Sequence, residues 1–316
     1  MATRRQRPRR TRRKGWSGYI LSFLLGAFLV FLGYSYFSHL PGERTPRPGS
    51  SSRKPPPADK SGRPAPDSGI EKKEVSPPPS SLPPIPGHPP RIALVIDDLG
   101  GENHLSSELL LFESPITFSI LPFTTYSKAL ATEAPGRGKE VILHLPMEPH
   151  GYPKVRPGEG ALLHGMDEKR LLRQLSEDID SVPNIKGVSN HMGSRLMEEP
   201  DKLKIIFSDL KERGLFFLDS RTTPQTVGLK MARLVGLNAM ERTLFIDNSL
   251  GAEALRKNLD RLIRISLSTG MAIGIGHPHS ATVNAIREML PRIREKGIEL
   301  VPLSTLFNES LAGPDK

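Results

Sequence analysis

Acidic and histidine side chains stand at the ends of several apolar segments of the sequence, where they could act together. Two adjacent aspartates, Asp97 and Asp98, follow the apolar run 92–96, and a carboxylate is costly to bury without a partner. Three histidines follow comparable runs, namely His144, His191 and His277. Carboxylates and imidazoles, in a chain with no cysteine, are the donors of an open catalytic site for Zn²⁺ or a similar divalent ion rather than of a closed structural site.

The two aspartates suit the chemistry of a metal-bound water molecule. A divalent ion activates water and polarises a carbonyl group, while a nearby carboxylate accepts the proton that the water gives up. Asp97 and Asp98 could divide the roles of ligand and base between them. Because neighbouring side chains of an extended strand point to opposite faces, we expect the chain to turn at Asp98, helped by Gly100 and Gly101.

The histidine candidates also have plainer structural interpretations. His144 lies two residues before Pro146 and could be a core histidine satisfied by hydrogen bonds. Of His277 and His279, one is expected to be functional, and the other could cap the helix predicted to follow, for which Ser280 is also a suitable N-cap.

The remaining polar residues at strand ends divide in the same way. Asp219 and Arg221 either form a structural ion pair or orient a ligand. Asp247 and Asn248 are interpreted as a turn. His191 lies among small and polar residues, which favours a site over a packing role.

From residue 91 onward, apolar strand candidates alternate with amphipathic helices. The eight strand candidates read IALVIDD, ITFSILP, EVILHLP, IKGVSNH, LFFLDSR, TLFIDN, AIGIGHP and IELVPLS. Repeated strand and helix units over about 225 residues predict an α/β fold with a mainly parallel sheet, open or closed into a barrel. Functional groups of such folds collect at the carboxyl ends of the strands, so the acids and histidines at these ends are expected to meet.

The N-terminal segment has the pattern of a membrane anchor. Residues 1–14 hold eight basic residues and no acid, and residues 15–39 hold no Asp, Glu, Lys or Arg. As a helix, residues 15–37 would span about 34 Å, close to the roughly 30 Å of a hydrocarbon core. A cleaved signal peptide is the alternative, but the apolar segment is long for one and offers no clear cleavage motif. We therefore predict a single-pass protein of a bacterial-type inner membrane, with its N-terminus in the cytoplasm and its folded domain periplasmic or extracellular.

A segment rich in proline and serine, residues 40–90, follows the anchor and is predicted to be a disordered linker. The folded domain is then residues 91–316. The net charge of the chain is +10, but the basic head and the linker account for it, so the domain is nearly neutral. This distribution gives no indication of nucleic-acid binding.

Five motifs, in this order and spacing, resemble the divergent polysaccharide deacetylase family, a remote branch of the metal-dependent carbohydrate esterases. They are IDDLG at 96–100, HLPMEP at 144–149, NHMGS at 190–194, LDSRT at 218–222 and GHPHSAT at 276–282. The resemblance covers about residues 91–309. It implies a distorted (β/α) barrel of about seven strands, a Zn²⁺-like ion bound by one Asp and two His, and hydrolysis of N-acetyl groups on a polysaccharide.

The resemblance also implies roles for individual residues. By the family pattern, Asp97 is the base and Asp98 a metal ligand. Ordinary members of the superfamily take both histidine ligands from one His-x-x-x-His turn, whereas this chain has His144 alone at that place. His191 is our candidate for the missing ligand, and His277 for the acid that protonates the leaving group. Glu148 is a candidate for a substitute ligand. Supporting roles near the ion or the substrate are expected for Glu148, Ser194, Asp219, Arg221 and His279.

Two other classes of function stay open. A barrel of this kind without catalysis could bind a glycan or an envelope protein, and retention of a divalent ion would distinguish an enzyme from it. A phosphoacceptor receiver domain also places paired aspartates after its first strand. It is far shorter, however, and needs an acidic acceptor where this chain has His144. We therefore favour a hydrolase, and the sequence specifies no protein partner.

Overall fold

The computed structural model describes residues 88–102 and 105–311, which contain nine strands and eight α-helices, largely in alternation. All the strand pairs are parallel. The strands are β1 (Arg91–Leu99), β2 (Thr117–Ile120), β3 (Glu140–Met147), β4 (Ile185–Met192), β5 (Phe216–Asp219), β6 (Ala239–Glu241), β7 (Leu244–Phe245), β8 (Met271–Gly276) and β9 (Glu299–Leu300). The helices are α1 (Leu105–Leu110), α2 (Ser127–Glu133), α3 (Glu168–Ser181), α4 (Pro200–Glu212), α5 (Gly228–Val235), α6 (Ala252–Thr269), α7 (Ser280–Glu295) and α8 (Leu303–Leu311).

The strands form one sheet that curls round on itself. Its order is β6-β5-β4-β3-β2-β1-β8-β7, with β9 paired to the start of β1. The two edge strands follow each other in the chain, because β6 ends at Glu241 and β7 begins at Leu244. Three residue steps span at most about 11 Å, so the two edges of the sheet must approach each other. The architecture fits the predicted distorted α/β barrel, left open between its edge strands.

The alternation of side chains along β1 builds two cores. Ile92, Leu94 and Ile96 belong to the larger core, which includes the apolar faces of the surrounding helices. Ala93 and Val95 belong to a smaller core inside the curl of the sheet. Because successive side chains of a strand point to opposite faces, a strand buried on both sides is apolar throughout. This explains the uninterrupted apolar run before the aspartates.

Helix α8 closes the amino-terminal end of the barrel. Near its start, the Leu303 amide donates to Thr117 Oγ1 and the Ser304 amide to Glu140 Oε1, each over 3.1 Å. The ring of Phe307 stacks on that of Phe216, with centroids 4.2 Å apart. Leu303, Leu306 and Phe307 therefore fill this end of the interior, and the polar residues gather at the carboxyl end of the sheet.

Most predicted elements are confirmed. All eight strand candidates contain a strand, and α4 begins at Pro200, whose fixed φ suits the first turn of a helix. Three glycines that follow helices have positive φ angles, which suit a helix end, namely Gly214, Gly270 and Gly297. The sheet has nine strands rather than about seven, because short strands such as β6, Ala239–Glu241, extend it. The N-cap predicted at Ser280 is wrong by one residue: His279 occupies that position, and its side chain makes no capping hydrogen bond.

The predicted N-terminal segments lie almost wholly outside the described residues. Both the anchor at residues 15–39 and the basic head at residues 1–14 precede residue 88, as does nearly all of the linker. Within the described ranges, no helix has the length and hydrophobicity needed to cross a membrane.

Candidate metal centre

The carboxyl end of β1 directs both aspartates to the same site. Asp98 has a φ of +59°, and the pairing of β1 with β2 shifts register between Ile96 and Leu99. A positive φ is uncommon for a residue other than glycine. It turns Asp98 out of the regular alternation, so that both carboxylates lie beside His144. The predicted turn at Asp98 is confirmed, and it explains how two adjacent acids share one site.

Three strands bring together a compact group of donor atoms. Asp98 Oδ1 of β1 lies 2.8 Å from His191 Nδ1 of β4 and 3.2 Å from His144 Nε2 of β3. The two imidazole nitrogens are 3.2 Å apart. In the part of the chain that the structure describes, this is the group of three His or acidic residues whose donor atoms lie close enough to share one ion.

The spacing of these donors fits a divalent ion. In a tetrahedral zinc site with bonds of about 2.0–2.1 Å, neighbouring donor atoms are about 3.3 Å apart, close to the three distances observed. Asp98 Oδ1 is buried, yet neither imidazole is aligned to form a hydrogen bond with it, and no other described residue does so. Three converging donors with an unsatisfied carboxylate oxygen are what a cation site requires.

Electrostatics keep Asp98 ionised. Burial alone would raise the pKa of this carboxyl group, but the nearby imidazoles of His144 and His191 outweigh burial and hold the pKa well below its usual range. A carboxylate must be deprotonated to bind a metal ion. Asp98 is therefore in the ligand-competent form at any pH near neutrality.

Asp97 lies behind this group in a more enclosed position. It is 1% exposed, and its Oδ1 atom lies 3.6 Å from His144 Nδ1. Burial raises its pKa, although His144 and a hydrogen bond from Ser119 act in the opposite direction. Among the described residues, Asp97 Oδ1 has no hydrogen-bond partner. A carboxylate with a raised pKa and a free oxygen beside the donor group suits proton transfer.

His277 of the segment after β8 forms a dyad with Asp247. His277 Nδ1 lies 2.9 Å from Asp247 Oδ1, and Asp247 Oδ2 accepts hydrogen bonds from the His277 amide and the Thr282 hydroxyl. Burial would lower the pKa of His277, but the hydrogen bond and charge of Asp247, with smaller contributions from Asp97 and Asp98, raise it to about 9. His277 is therefore an imidazolium at neutral pH, within electrostatic range of both aspartates.

The interpretation of Asp247 as a turn residue is corrected by this geometry. Its carboxylate is 1% exposed and serves as the partner of His277. The position of Asp247 at the end of a predicted strand was a signal for a functional role. Its partner could not be predicted, because the pairing of β7 with β8 sets Asp247 beside His277, and this pairing joins distant segments of the chain.

Glu148 and Ser194 occupy supporting positions next to β3 and β4. The carboxylate of Glu148 is buried and accepts hydrogen bonds from Arg195 Nη1 and from the His164 amide, each over 2.8 Å. Ser194 Oγ accepts a hydrogen bond from the His150 amide. Both residues stabilise the loop that follows β3 through these hydrogen bonds. Glu148 is not one of the three donor residues.

Asp219, Arg221 and His279 do not belong to the group of three donors and make other contacts. Asp219 accepts hydrogen bonds from the Arg221 amide and the Thr226 hydroxyl, each over 2.7 Å. The guanidinium of Arg221 forms an ion pair with Glu241 over 2.6 Å, not with Asp219. The carboxylate of Asp219 stabilises the turn after β5. The ring of His279 lies 6.4 Å from that of His277.

The fold and the site together define a curled parallel α/β barrel with a divalent-metal donor group at the carboxyl ends of its strands. A family model described as divergent polysaccharide deacetylase matches residues 94–307. The chain belongs to this family.

Two bacterial proteins and one solved structure are similar over most of the domain. Uncharacterized protein YibQ of Escherichia coli (strain K12) is 32% identical over 219 residues, which cover 69% of this chain and 68% of that protein. An uncharacterized Haemophilus influenzae (strain ATCC 51907 / DSM 11121 / KW20 / Rd) protein is 31% identical over 228 residues, 72% of this chain and 80% of that protein. The crystal structure of uncharacterized protein ATU2773 from Agrobacterium tumefaciens C58 has a TM-score of 0.67 and 27% identity, covering 71% of this chain and 92% of that one.

Proposed function

We propose that the protein is a metal-dependent hydrolase of the cell envelope that removes N-acetyl groups from a polysaccharide. The observation that carries this proposal is the convergence of the Asp98, His144 and His191 donor atoms beside the buried carboxylate of Asp97. Membership of the divergent polysaccharide deacetylase family supports the same reaction class. A divalent ion, zinc by the chemistry of the donors, is the proposed cofactor.

The proposed reaction is the hydrolysis of an amide bond. Asp98 Oδ1, His144 Nε2 and His191 Nδ1 would hold the ion, which when bound supplies a Lewis acid for the acetyl carbonyl and lowers the pKa of water. Asp97 accepts a proton from the attacking water. The imidazolium of His277 gives a proton to the leaving nitrogen, so acetate departs and the glycan retains a free amine.

A cavity between α1 and α2 is the proposed place for part of a polymeric substrate. It has a volume of about 580 Å³ and is lined by Gly101, three residues beyond Asp98, and by residues of α1 and α2. Tyr126, which is 51% exposed, offers an aromatic face to this cavity, and the side chains of Glu102 and Ser106 offer hydrogen-bonding groups. An aromatic face combined with a few polar groups suits a sugar ring.

We also propose that residues 15–39 anchor the protein in a bacterial-type inner membrane and that residues 40–90 hold the domain on its outer side. The support is the sequence: an uncharged apolar segment follows a basic head, and positive charge favours the cytoplasmic side. A cell-envelope glycan would then be within reach of the domain.

Replacing Asp247 by asparagine is expected to move the alkaline limb of the pH–rate profile to lower pH. His277 must be protonated to act as an acid, so activity falls as the pH rises through its pKa of about 9. Without the hydrogen bond and charge of Asp247, burial would dominate and the pKa would fall. The measurement is kcat/KM as a function of pH, with Asn248→Ala, an exposed neighbour, as the control. An alkaline limb that Asp247→Asn leaves in place would show that His277 is not the acid.

The proposed function is tested by acetate release from N-acetylated chitooligosaccharides and from peptidoglycan fragments, using the full chain in detergent. Release is expected to stop when the divalent ion is chelated and to return when Zn²⁺ or Co²⁺ is added. A chain that binds the glycan, retains no divalent ion and releases no acetate would be the second candidate, a binding protein. The two candidate histidine ligands come from separate strands, β3 and β4, rather than from one His-x-x-x-His turn. This difference from ordinary members of the superfamily is the reason to test for a binding protein. A chain that neither binds the glycan nor releases acetate contradicts both functions.

A further inference from the structure

Arg242 places a positive charge in the short segment between the edge strands β6 and β7. The residue is partly buried, and in the part of the chain that the structure describes no carboxylate forms an ion pair with its guanidinium. Burial lowers its pKa to about 10, and the like charge of Arg221 acts in the same direction. Arg242 is still a cation at neutral pH, and burying a cation in part is costly when no anion is paired with it.

Three contacts hold the guanidinium of Arg242 in place. Its Nε donates to the Ser220 carbonyl over 2.5 Å and its Nη2 to the Arg221 carbonyl over 3.2 Å. Its Cζ lies 3.9 Å from the centre of the Phe245 ring, in a cation–π contact. A guanidinium has five N–H donors, and the three on Nη1 and Nη2 that remain have no partner among the described residues. They form the end of the fork that binds a carboxylate through two parallel hydrogen bonds.

The acids nearest to Arg242 are engaged elsewhere. Glu241 pairs with the guanidinium of Arg221 over 2.6 Å, and the carboxylate of Asp219 accepts two hydrogen bonds within the turn after β5. Asp97 also acts on Arg242, but only through its charge at longer range. The open end of the Arg242 fork is therefore available to an anion that the described residues do not supply.

The ring of Phe245 connects this cation to the residue proposed as the acid of the reaction. The imidazole of His277 lies 5.7 Å from the Phe245 ring, between ring centres, and the same ring carries Arg242 on its face. A glycan whose leaving nitrogen is near His277 would therefore bring a neighbouring part of the sugar near Arg242. A carboxylate suits this place better than a phosphate, because the surrounding acids repel a doubly charged group more strongly.

We propose that Arg242 recognises a carboxylate of the substrate, which is then an acidic polysaccharide with carboxyl groups next to its N-acetyl groups. The inference rests on the proposed function for the identity of the substrate, whereas carboxylate binding by Arg242 requires no reaction. Arg242 is in this view a specificity-determining residue outside the metal centre.

Two matched pairs of glycans test carboxylate recognition by the full chain in detergent. The first pair is the disaccharide of N-acetylglucosamine and N-acetylmuramic acid, and the same disaccharide with its carboxyl group converted to an amide. The second pair is the disaccharide of N-acetylglucosamine and glucuronic acid, and its amide. Initial rates give kcat/KM where acetate is released, and calorimetry gives Kd where it is not. The wild-type chain is expected to prefer an acid over its amide by about 10- to 100-fold, the usual effect of hydrogen bonds to a charged group. The pair that shows this preference identifies the source of the carboxylate.

Substitutions of Arg242 separate recognition from a structural role. Arg242→Gln is expected to remove the preference for the acid while the value for the amide stays near that of the wild type. Arg242→Lys keeps the charge but loses the planar fork, so it should retain part of the preference. Arg213→Gln is the control: Arg213 pairs with Asp209 one turn earlier in the chain, and its loss should leave the preference unchanged.

An arginine that only stabilises the turn after β5 would give a different result, because Arg242→Gln would then weaken acid and amide alike. That outcome overturns the inference, as does a wild-type chain that shows no preference in either pair or that prefers a phosphorylated disaccharide to both acids. The wild-type comparison decides the matter if Arg242→Gln does not fold. A chain that prefers an acid through Arg242 and yet releases no acetate supports carboxylate recognition and contradicts the hydrolase. Acetate release without any preference for the acid contradicts the inference alone.

Discussion

Asp97→Asn is expected to lower kcat for acetate release by about 10²- to 10⁴-fold, the usual contribution of a general base, while zinc affinity stays within a few fold. The amide cannot accept the proton of the attacking water. The amide has nearly the same shape as the carboxylate, so the packing behind His144 is preserved. The loss should therefore appear in kcat rather than in metal content, and both quantities are measured on the same preparation.

Asp178→Asn is the matched control for this substitution. Asp178 is also fully buried, and it accepts a hydrogen bond from Gln174 within α3. Burial, which outweighs this hydrogen bond, raises its pKa to about 8, so the group is mostly neutral at pH 7 and an amide is a close substitute. Asp178→Asn is expected to keep the wild-type kcat. If Asp97→Asn keeps it as well, Asp97 is not the base.

His191→Ala is expected to reduce zinc affinity by more than about 100-fold, beyond the range seen for groups that only orient a ligand, and to abolish acetate release. Removal of its imidazole leaves Asp98 and His144, and two protein donors are too few for a catalytic zinc site, which takes three. The visible spectrum of the Co²⁺-substituted protein should lose its tetrahedral bands. Calorimetry with Zn²⁺ gives the affinity directly.

His150→Ala provides the control for loss of a histidine near the site. His150 is largely exposed, and its Nε2 lies 3.2 Å from Glu198, outside the donor group. Its substitution should leave zinc affinity and the Co²⁺ spectrum unchanged. If His191→Ala binds zinc as tightly as wild type, the Asp98–His144–His191 ligand set is wrong, even if activity is lost.

The strands, helix ends and general place of the site were predictable because they depend on local chemistry. Apolar runs such as 92–96 predict strands buried on both faces, and Pro200 and Gly270 mark helix ends by their own backbone preferences. Since the carboxyl ends of parallel strands share one edge, polar residues at these ends were expected to meet. Asp98, His144 and His191 do so. Their roles as ligands remain predictions that the zinc measurements test.

The partners of these residues were not predictable in the same way. The Ser119–Ser189 contact joins residues 70 positions apart, and the dyad of His277 with Asp247 joins residues 30 apart. A serine in a strand and an aspartate before an asparagine carry no local signal of the side chain they will meet. The strand β6 was missed for a related reason: its three residues, Ala239–Glu241, are stabilised by pairing with β5 rather than by their own sequence pattern.

The sequence by itself therefore determined the α/β alternation, the ends of the helices and the set of residues offered to the site, because periodicity and backbone preference act over a few residues. Only the tertiary structure decided the strand order, the curl of the sheet and the left-handed turn at Asp98. Those features depend on contacts between distant segments that form together on folding. They are the features that place a carboxylate from β1 and imidazoles from β3 and β4 within 3.2 Å of one another.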